Sequence, residues 1–164
     1  MSKKISISIE VEQFEKASEL QNWQQELLKK AEETAKNAYA PYSQFYVGAA
    51  LLLENGIIVT GNNQENVAYP SGLCAERVAI YAAGAQNPNI KIKALAIFAR
   101  SENYIVDYPI SPCGACRQAI AEYENRYQQN IQIILKGEKG PIYLINSVKE
   151  LLPLLFNETR LKKK

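Results

Sequence analysis

Three cysteines and no histidine occur in this 164-residue chain, and that inventory constrains its fold more than any other feature. Two of the thiols lie three residues apart in SPCGACRQA, Ser111 to Ala119, and the third, Cys74, opens CAERVAI far upstream. The absence of histidine excludes Ser-His and Cys-His catalysis, and any zinc site with imidazole ligands. A Cys-x-x-Cys pair alone is ambiguous between a redox dithiol and half of a metal site. The redox reading leaves Cys74 incidental and prefers a strand leading directly into the motif, whereas Pro109 and Pro112 intervene. A structural zinc site needs four protein ligands, more than three cysteines supply. Three ligands with one open position is the arrangement of a catalytic zinc, and ligand count therefore favours catalysis. On that reading the fold must carry Cys74 to the Cys113–Cys116 pair.

The rest of the composition sets the frame. With 47% hydrophobic and 22% charged residues, the chain reads as one globular domain long enough to bury its own core. A net charge of +2 argues against a nucleic-acid-binding surface. The one basic run, at 162–164, reads as part of a solvated tail over 161–164. MSKKISISIEVEQ has no uninterrupted apolar core, so no signal peptide is expected. No segment approaches the roughly 20 apolar residues of a membrane helix. Thiols without an export signal point to a reducing, cytoplasmic location.

Periodicity then gives the organisation. KISISIEV, residues 4–11, alternates apolar and polar residues and predicts a short strand with one buried face, within an N-terminal extension over 1–22. Trp23, Leu27, Leu28, Ala31 and Ala35 recur at helical spacing until APYS stops the helix. YVGAALLL (46–53) and IIVT (57–60) flank Asn55-Gly56, a hairpin signal. LCAERVAIYAAGA and CGACRQAIAEYENRY predict helices, and IKIKALAIF (91–99), IQIILKG and PIYLIN predict strands. Ser147 and Glu150 have capping-box spacing, which predicts a last helix opening at Ser147. The order implies an α/β fold: a three-layer α/β/α sandwich around a mixed sheet of about five strands, formed by a catalytic domain over 23–160.

Glu76 stands two residues after Cys74, at an expected helix N-terminus. A carboxylate there sits beside a metal without binding it, facing the open position. It could take a proton from a zinc-activated water and pass it to a substrate. Three thiolates leave the cluster anionic, and two helix N-termini would offset part of that charge. Arg77 is the favoured cationic partner of the thiolates, with Arg117 a further candidate.

CAERVAI followed by PCGACRQ strongly resembles the zinc-dependent cytidine deaminases, in the class with three cysteine ligands. AYAPYSQFYVGAAL, NQENVAY and ELLPLLF match other segments of that family in order, so the resemblance runs from about Ala31 to Phe156. It implies Cys74, Cys113 and Cys116 as zinc ligands and Glu76 as proton shuttle. Hydroxide on the zinc would attack C4 of cytosine, Glu76 would protonate N3, and ammonia would leave. Asn63 and Glu65 fall on the positions that hydrogen-bond the ribose 3′-hydroxyl, and Phe45 where an aromatic ring packs against the base. The Ala75 N–H and the Ser111 carbonyl would read the pyrimidine edge. The implied activity is deamination of cytidine and deoxycytidine in pyrimidine salvage, by a homotetramer. An alternative within the fold is deamination of a modified cytosine nucleoside such as a blasticidin-type antibiotic. The bland readings are Phe45 as core, Asn63 and Glu65 as a polar turn, and Asn66 and Tyr69 as loop support. Polynucleotide editing is disfavoured by the charge, and a dithiol oxidoreductase or non-catalytic zinc module by Cys74 and Glu76 together.

Overall fold

Two long strands, Phe45–Leu53 and Ile92–Ser101, pair antiparallel and are buried along most of their length. Strands this apolar need cover on both faces, which dictates a three-layer arrangement. The computed structural model describes residues 2–158 and residue 161. Its strands and α-helices are β1 (Glu12–Phe14), α1 (Asn22–Ala35), β2 (Phe45–Leu53), β3 (Ile58–Asn62), α2 (Ala75–Gln86), β4 (Ile92–Ser101), α3 (Gly114–Tyr127), β5 (Gln132–Lys136) and β6 (Ile142–Ile145). The strands form one sheet in the order β1-β6-β5-β4-β2-β3, with β4 and β5 parallel and the other pairs antiparallel. The expected mixed α/β sandwich is therefore present, with six strands rather than about five.

Alternation along the strands sorts the two faces. Ala49, Leu51, Leu95, Ile97, Ile133 and Leu135 pack with Ala75, Ala79 and Ile80 of α2 and Ile120 of α3. Ala50, Ala94, Ala96, Phe98 and Ile134 face Leu27, Leu28, Ala31 and Ala35 of α1. Close approach is bought with small residues. A Cβ at Gly48 would overlap the Ala31 carbonyl oxygen of α1, and one at Gly61 would lie 2.7 Å from the Ala75 oxygen of α2. The predicted hairpin forms between β2 and β3, with Gly56 at φ 84° in the turn.

Two expected elements differ. Residues 4–11 do not form a strand; they are exposed, and only the three residues of β1 just beyond them reach the sheet. Alternation specifies a strand only where a neighbour offers its edge, and β6 has just four residues. The expected last helix is one 3-10 turn, Val148–Glu150. Ser147 does cap it by accepting from the Lys149 N–H, but Pro153 prevents the helix from continuing. Glu150, expected to close the capping box, instead accepts from the Glu10 N–H at 3.0 Å. The basic run at 162–164 lies outside the described residues.

The seat of α2 on β3 gives a test. Gly61→Ala should cost about 1–3 kcal/mol, because α2 must move to admit the methyl group. Urea denaturation of the variant against the parent chain measures it.

Candidate metal centre

The site lies where two helices begin. Cys74 is the N-cap of α2 and Cys113 the N-cap of α3, while Cys116 sits in the first turn of α3. Neither cap cysteine bonds its own helix through the side chain. Their sulfurs are thus available, and both helix ends direct partial positive charge toward them. The sulfurs of Cys74 and Cys113 are 3.8 Å apart, those of Cys113 and Cys116 3.5 Å, and all three lie within 4.8 Å of one another. A tetrahedral zinc with Zn–S bonds of about 2.3 Å sets its sulfurs about 3.8 Å apart. The donor set and its spacing therefore fit zinc. Cys116 is buried, Cys74 half-buried and Cys113 exposed.

Arg77, one turn into α2, aims its guanidinium at Cys74 Sγ at 3.6 Å. The neighbouring Cys116 thiol, and then Arg77, hold the Cys74 thiol down to about 5 against the opposing effect of burial. The same partnership with Cys74, together with burial, pushes Cys116 up. Hydrogen bonding to Cys74 raises Arg77 further above its ordinary value, so its charge is permanent. Its Nε is buried without a hydrogen-bond partner among the described residues. Glu76 is 5% exposed, and burial, with the nearby Cys74 charge, raises its carboxyl pKa.

Beside the sulfurs opens a cavity of about 490 Å³ lined by Tyr42, Ser43, Asn63, Gln64, Glu65, Asn66, Tyr69, Gly72, Leu73, Cys74 and Arg77. Asn63 and Glu65 are thus brought to one wall of the space that ends at Cys74. Glu65 accepts from the Tyr42 and Ser43 amides at 2.8 and 3.3 Å. Burial acts to raise its carboxyl, but the hydrogen bonds from Ser43 and Tyr42 outweigh it and hold the carboxyl low. Asn63 accepts from the Val47 N–H and donates to the Phe45 carbonyl, which stitches the loop after β3 to β2. One N–H of its amide remains for a ligand.

Phe45, Ala75 and Ser111 are not among the cavity's lining residues. Phe45 is half-buried at the start of β2, Ala75 is buried as the first residue of α2, and Ser111 is exposed before Cys113. Tyr42 and Ser43 are lining residues that sequence reasoning passed over; they follow Pro41 of APYS, the expected stop of the first helix, but α1 already ends at Ala35, before APYS is reached. Tyr69, read as loop support, also faces the cavity and packs against Tyr42 with ring centroids 5.8 Å apart. Arg117 does not serve the sulfurs directly. It donates to the Pro112 carbonyl at 2.7 Å and the Leu151 carbonyl at 2.6 Å, and so clamps the loop before Cys113 to the C-terminal segment.

Residues 21–129 match the family described as the cytidine and deoxycytidylate deaminase zinc-binding region. The chain belongs to this family. Cys74, Glu76, Cys113 and Cys116 all fall within the matched span. A cytidine deaminase of Sporosarcina psychrophila is 42% identical over 82% of this chain and 91% of the relative. One from Halalkalibacterium halodurans is 39% identical over 80% of this chain and 92% of the relative. The crystal structure of a cytidine deaminase from Burkholderia pseudomallei superposes with a TM-score of 0.68 at 34% identity, covering 80% of this chain and 97% of that one. The corresponding structure from Mycobacterium tuberculosis gives 0.63 at 33% identity, covering 84% and 98%. These deaminase structures share the mixed α/β sandwich. No helix among the described residues is long and apolar enough to cross a membrane.

The purified chain should carry one equivalent of zinc per chain by elemental analysis. Cys116→Ser, which removes the buried donor, should lower that content at least tenfold after dialysis against a chelator, whereas the parent chain keeps its metal under the same dialysis.

Proposed function

We propose that this chain is a zinc-dependent aminohydrolase that converts cytidine and deoxycytidine to uridine and deoxyuridine with release of ammonia. The observation that carries the reading is the buried Glu76 carboxyl beside three sulfurs spaced for one ion, in a chain 42% identical to a protein named cytidine deaminase. In the proposed site Cys74, Cys113 and Cys116 hold the metal and Arg77 balances the thiolate charge. Bound zinc supplies the Lewis acidity that makes water nucleophilic at neutral pH.

Glu76 takes a proton from the attacking water and delivers it to N3 of the base as oxygen bonds to C4. It then carries the second proton to the departing amine, so that the C4–N bond breaks and ammonia leaves. The raised Glu76 carboxyl suits this work, because a group that both accepts and returns a proton acts best near the working pH. Asn63 and Glu65 bind the ribose from the cavity wall. Glu65, kept anionic, accepts from a sugar hydroxyl and repels a 5′-phosphate, which favours nucleosides over nucleotides. Phe45 packs against the base, while the Ala75 N–H and the Ser111 carbonyl read its edge. Among the described residues the Ala75 N–H has no backbone acceptor in the preceding turn, which supports that assignment.

The proposed enzyme is a homotetramer of single-domain chains in the cytoplasm, acting on small nucleosides rather than polynucleotides. Exposed Leu154 and Phe156, the latter tied to α3 through the Gln118 bond to its carbonyl, support a subunit contact there.

Glu76→Gln should lower kcat on cytidine roughly 10²–10⁴-fold, the usual worth of a general acid–base, while zinc content stays at the parent value. Glu65→Ala should lower kcat/KM by about tenfold or more, since a hydrogen bond to a charged group is lost. Ammonia release followed with both variants and the parent checks these outcomes; cytidine turnover that survives Glu76→Gln unchanged overturns the reading.

A further inference from the structure

The strand-patterned segment before β1 has no partner strand among the described residues. Ile5, Ile7, Ile9 and Val11 alternate with Lys4, Ser6, Ser8 and Glu10, and all four apolar residues are exposed, Ile5 at 80%. The segment leads into β1, the end strand of the sheet, whose outer edge is open. Among the described residues its one backbone tether is the Glu10 N–H on Glu150. In an extended strand, successive amides point to opposite edges. With Glu10 turned toward its own subunit, an extended segment would turn the amides of Ile5, Ile7, Ile9 and Val11 outward. Such an edge is a template for another strand.

We propose that residues 4–12 pair antiparallel with the same residues of a second copy of this chain, about a two-fold axis at Ser8. The sequence is complementary to itself in that register. Ile5 opposes Val11, Ile7 opposes Ile9, Ser6 opposes Glu10, Ser8 opposes its own copy, and Lys4 opposes Glu12. All four apolar residues then meet apolar residues across the strands, on one face, and the ion pairs lie on the other. Cross-strand pairs of this kind stabilise antiparallel ribbons. A register shifted by one residue sets every isoleucine against a polar residue. One centred on Ile7 sets Val11 against Lys3, and one centred on Ser6 gives Lys4 no acidic partner. Neither Lys4 nor Glu12 has an ion-pair partner within the described residues, so both charges are available for the copy. Ile7 and Ile9 then form the hydrogen-bonded pairs, as the Glu10 contact requires of an extended segment. This contact is separate from the exposed C-terminal residues and does not depend on the proposed chemistry.

Cysteine cross-linking of the zinc-loaded full chain tests the register. Residues at Ser8 in the two copies would form a non-hydrogen-bonded pair with Cα atoms about 4.5 Å apart, within disulfide range. Residues at Ser6 would lie about 14 Å apart, out of range. Under mild oxidation Ser8→Cys should therefore join two copies of the peptide bearing residue 8 at least tenfold faster than Ser6→Cys joins its own, as read by mass spectrometry, with the parent chain as background. Adding Lys4→Glu should slow Ser8→Cys cross-linking at least fivefold, and adding Glu12→Lys to that variant should restore it. Equal rates for Ser8→Cys and Ser6→Cys, a faster Ser6→Cys, or no cross-link above background in either overturns the proposal.

Discussion

Everything in this molecule is arranged around the repulsion among three sulfurs that would otherwise stay apart. Once all three are deprotonated to hold a metal, sulfurs 3.5–3.8 Å apart repel one another, and the chain offsets that repulsion with two helix ends and one fixed cation. Cys74 and Cys113 sit at the N-caps, where a short side chain normally serves the helix's own amides. Here the cap positions are given to the site, and each helix gives up a side-chain cap for it. Arg77 completes the arrangement from the first turn of α2, close enough to touch the sulfur of Cys74 but held in place by the helix rather than by a loop.

That convergence depends on how closely the helices seat on the sheet. Gly48 and Gly61 let α1 and α2 approach opposite faces of the β2–β3 hairpin to within a Cβ radius, so the start of α2 is fixed by packing rather than by its polar contacts. On the other side of the site, Arg117 ties the Pro112 carbonyl to Leu151. Deeper along α3, the buried Glu124 carboxylate gathers the Ile131 and Val148 amides and the Ser147 hydroxyl. The helix that bears two of the sulfurs is thereby anchored at both ends to the last segment of the chain. The C-terminal turn, which looks peripheral in sequence, sets the position of α3.

What could be read from the amino acids alone was what local chemistry decides. The Asn55-Gly56 turn and the two helices that begin at cysteines follow from short stretches, and the structure has both; the meeting of the three sulfurs is expected from ligand count and family resemblance instead, and they do lie within reach of one ion. The failures are tertiary. KISISIEV has the period of a strand, but the neighbouring strand ends before it can be paired. Ser147 and Glu150 have the spacing of a capping box, yet Glu150 is drawn to an amide at the far end of the chain and Pro153 ends the helix. The double stitch of Asn63 to β2 and the reach of Arg117 to Leu151 join residues whose proximity only the folded chain creates. Tyr42 and Ser43 were missed for the same reason: nothing in APYS indicates which way its loop will face.

The unequal burial of the three sulfurs gives the centre a direction. Cys116 is sealed in the core and Cys74 is shielded by Arg77, but Cys113 is open to solvent. One edge of the centre is thus rooted in the packed interior of α3 and the opposite edge faces solvent, so the metal-binding group joins the core of the protein to its surface.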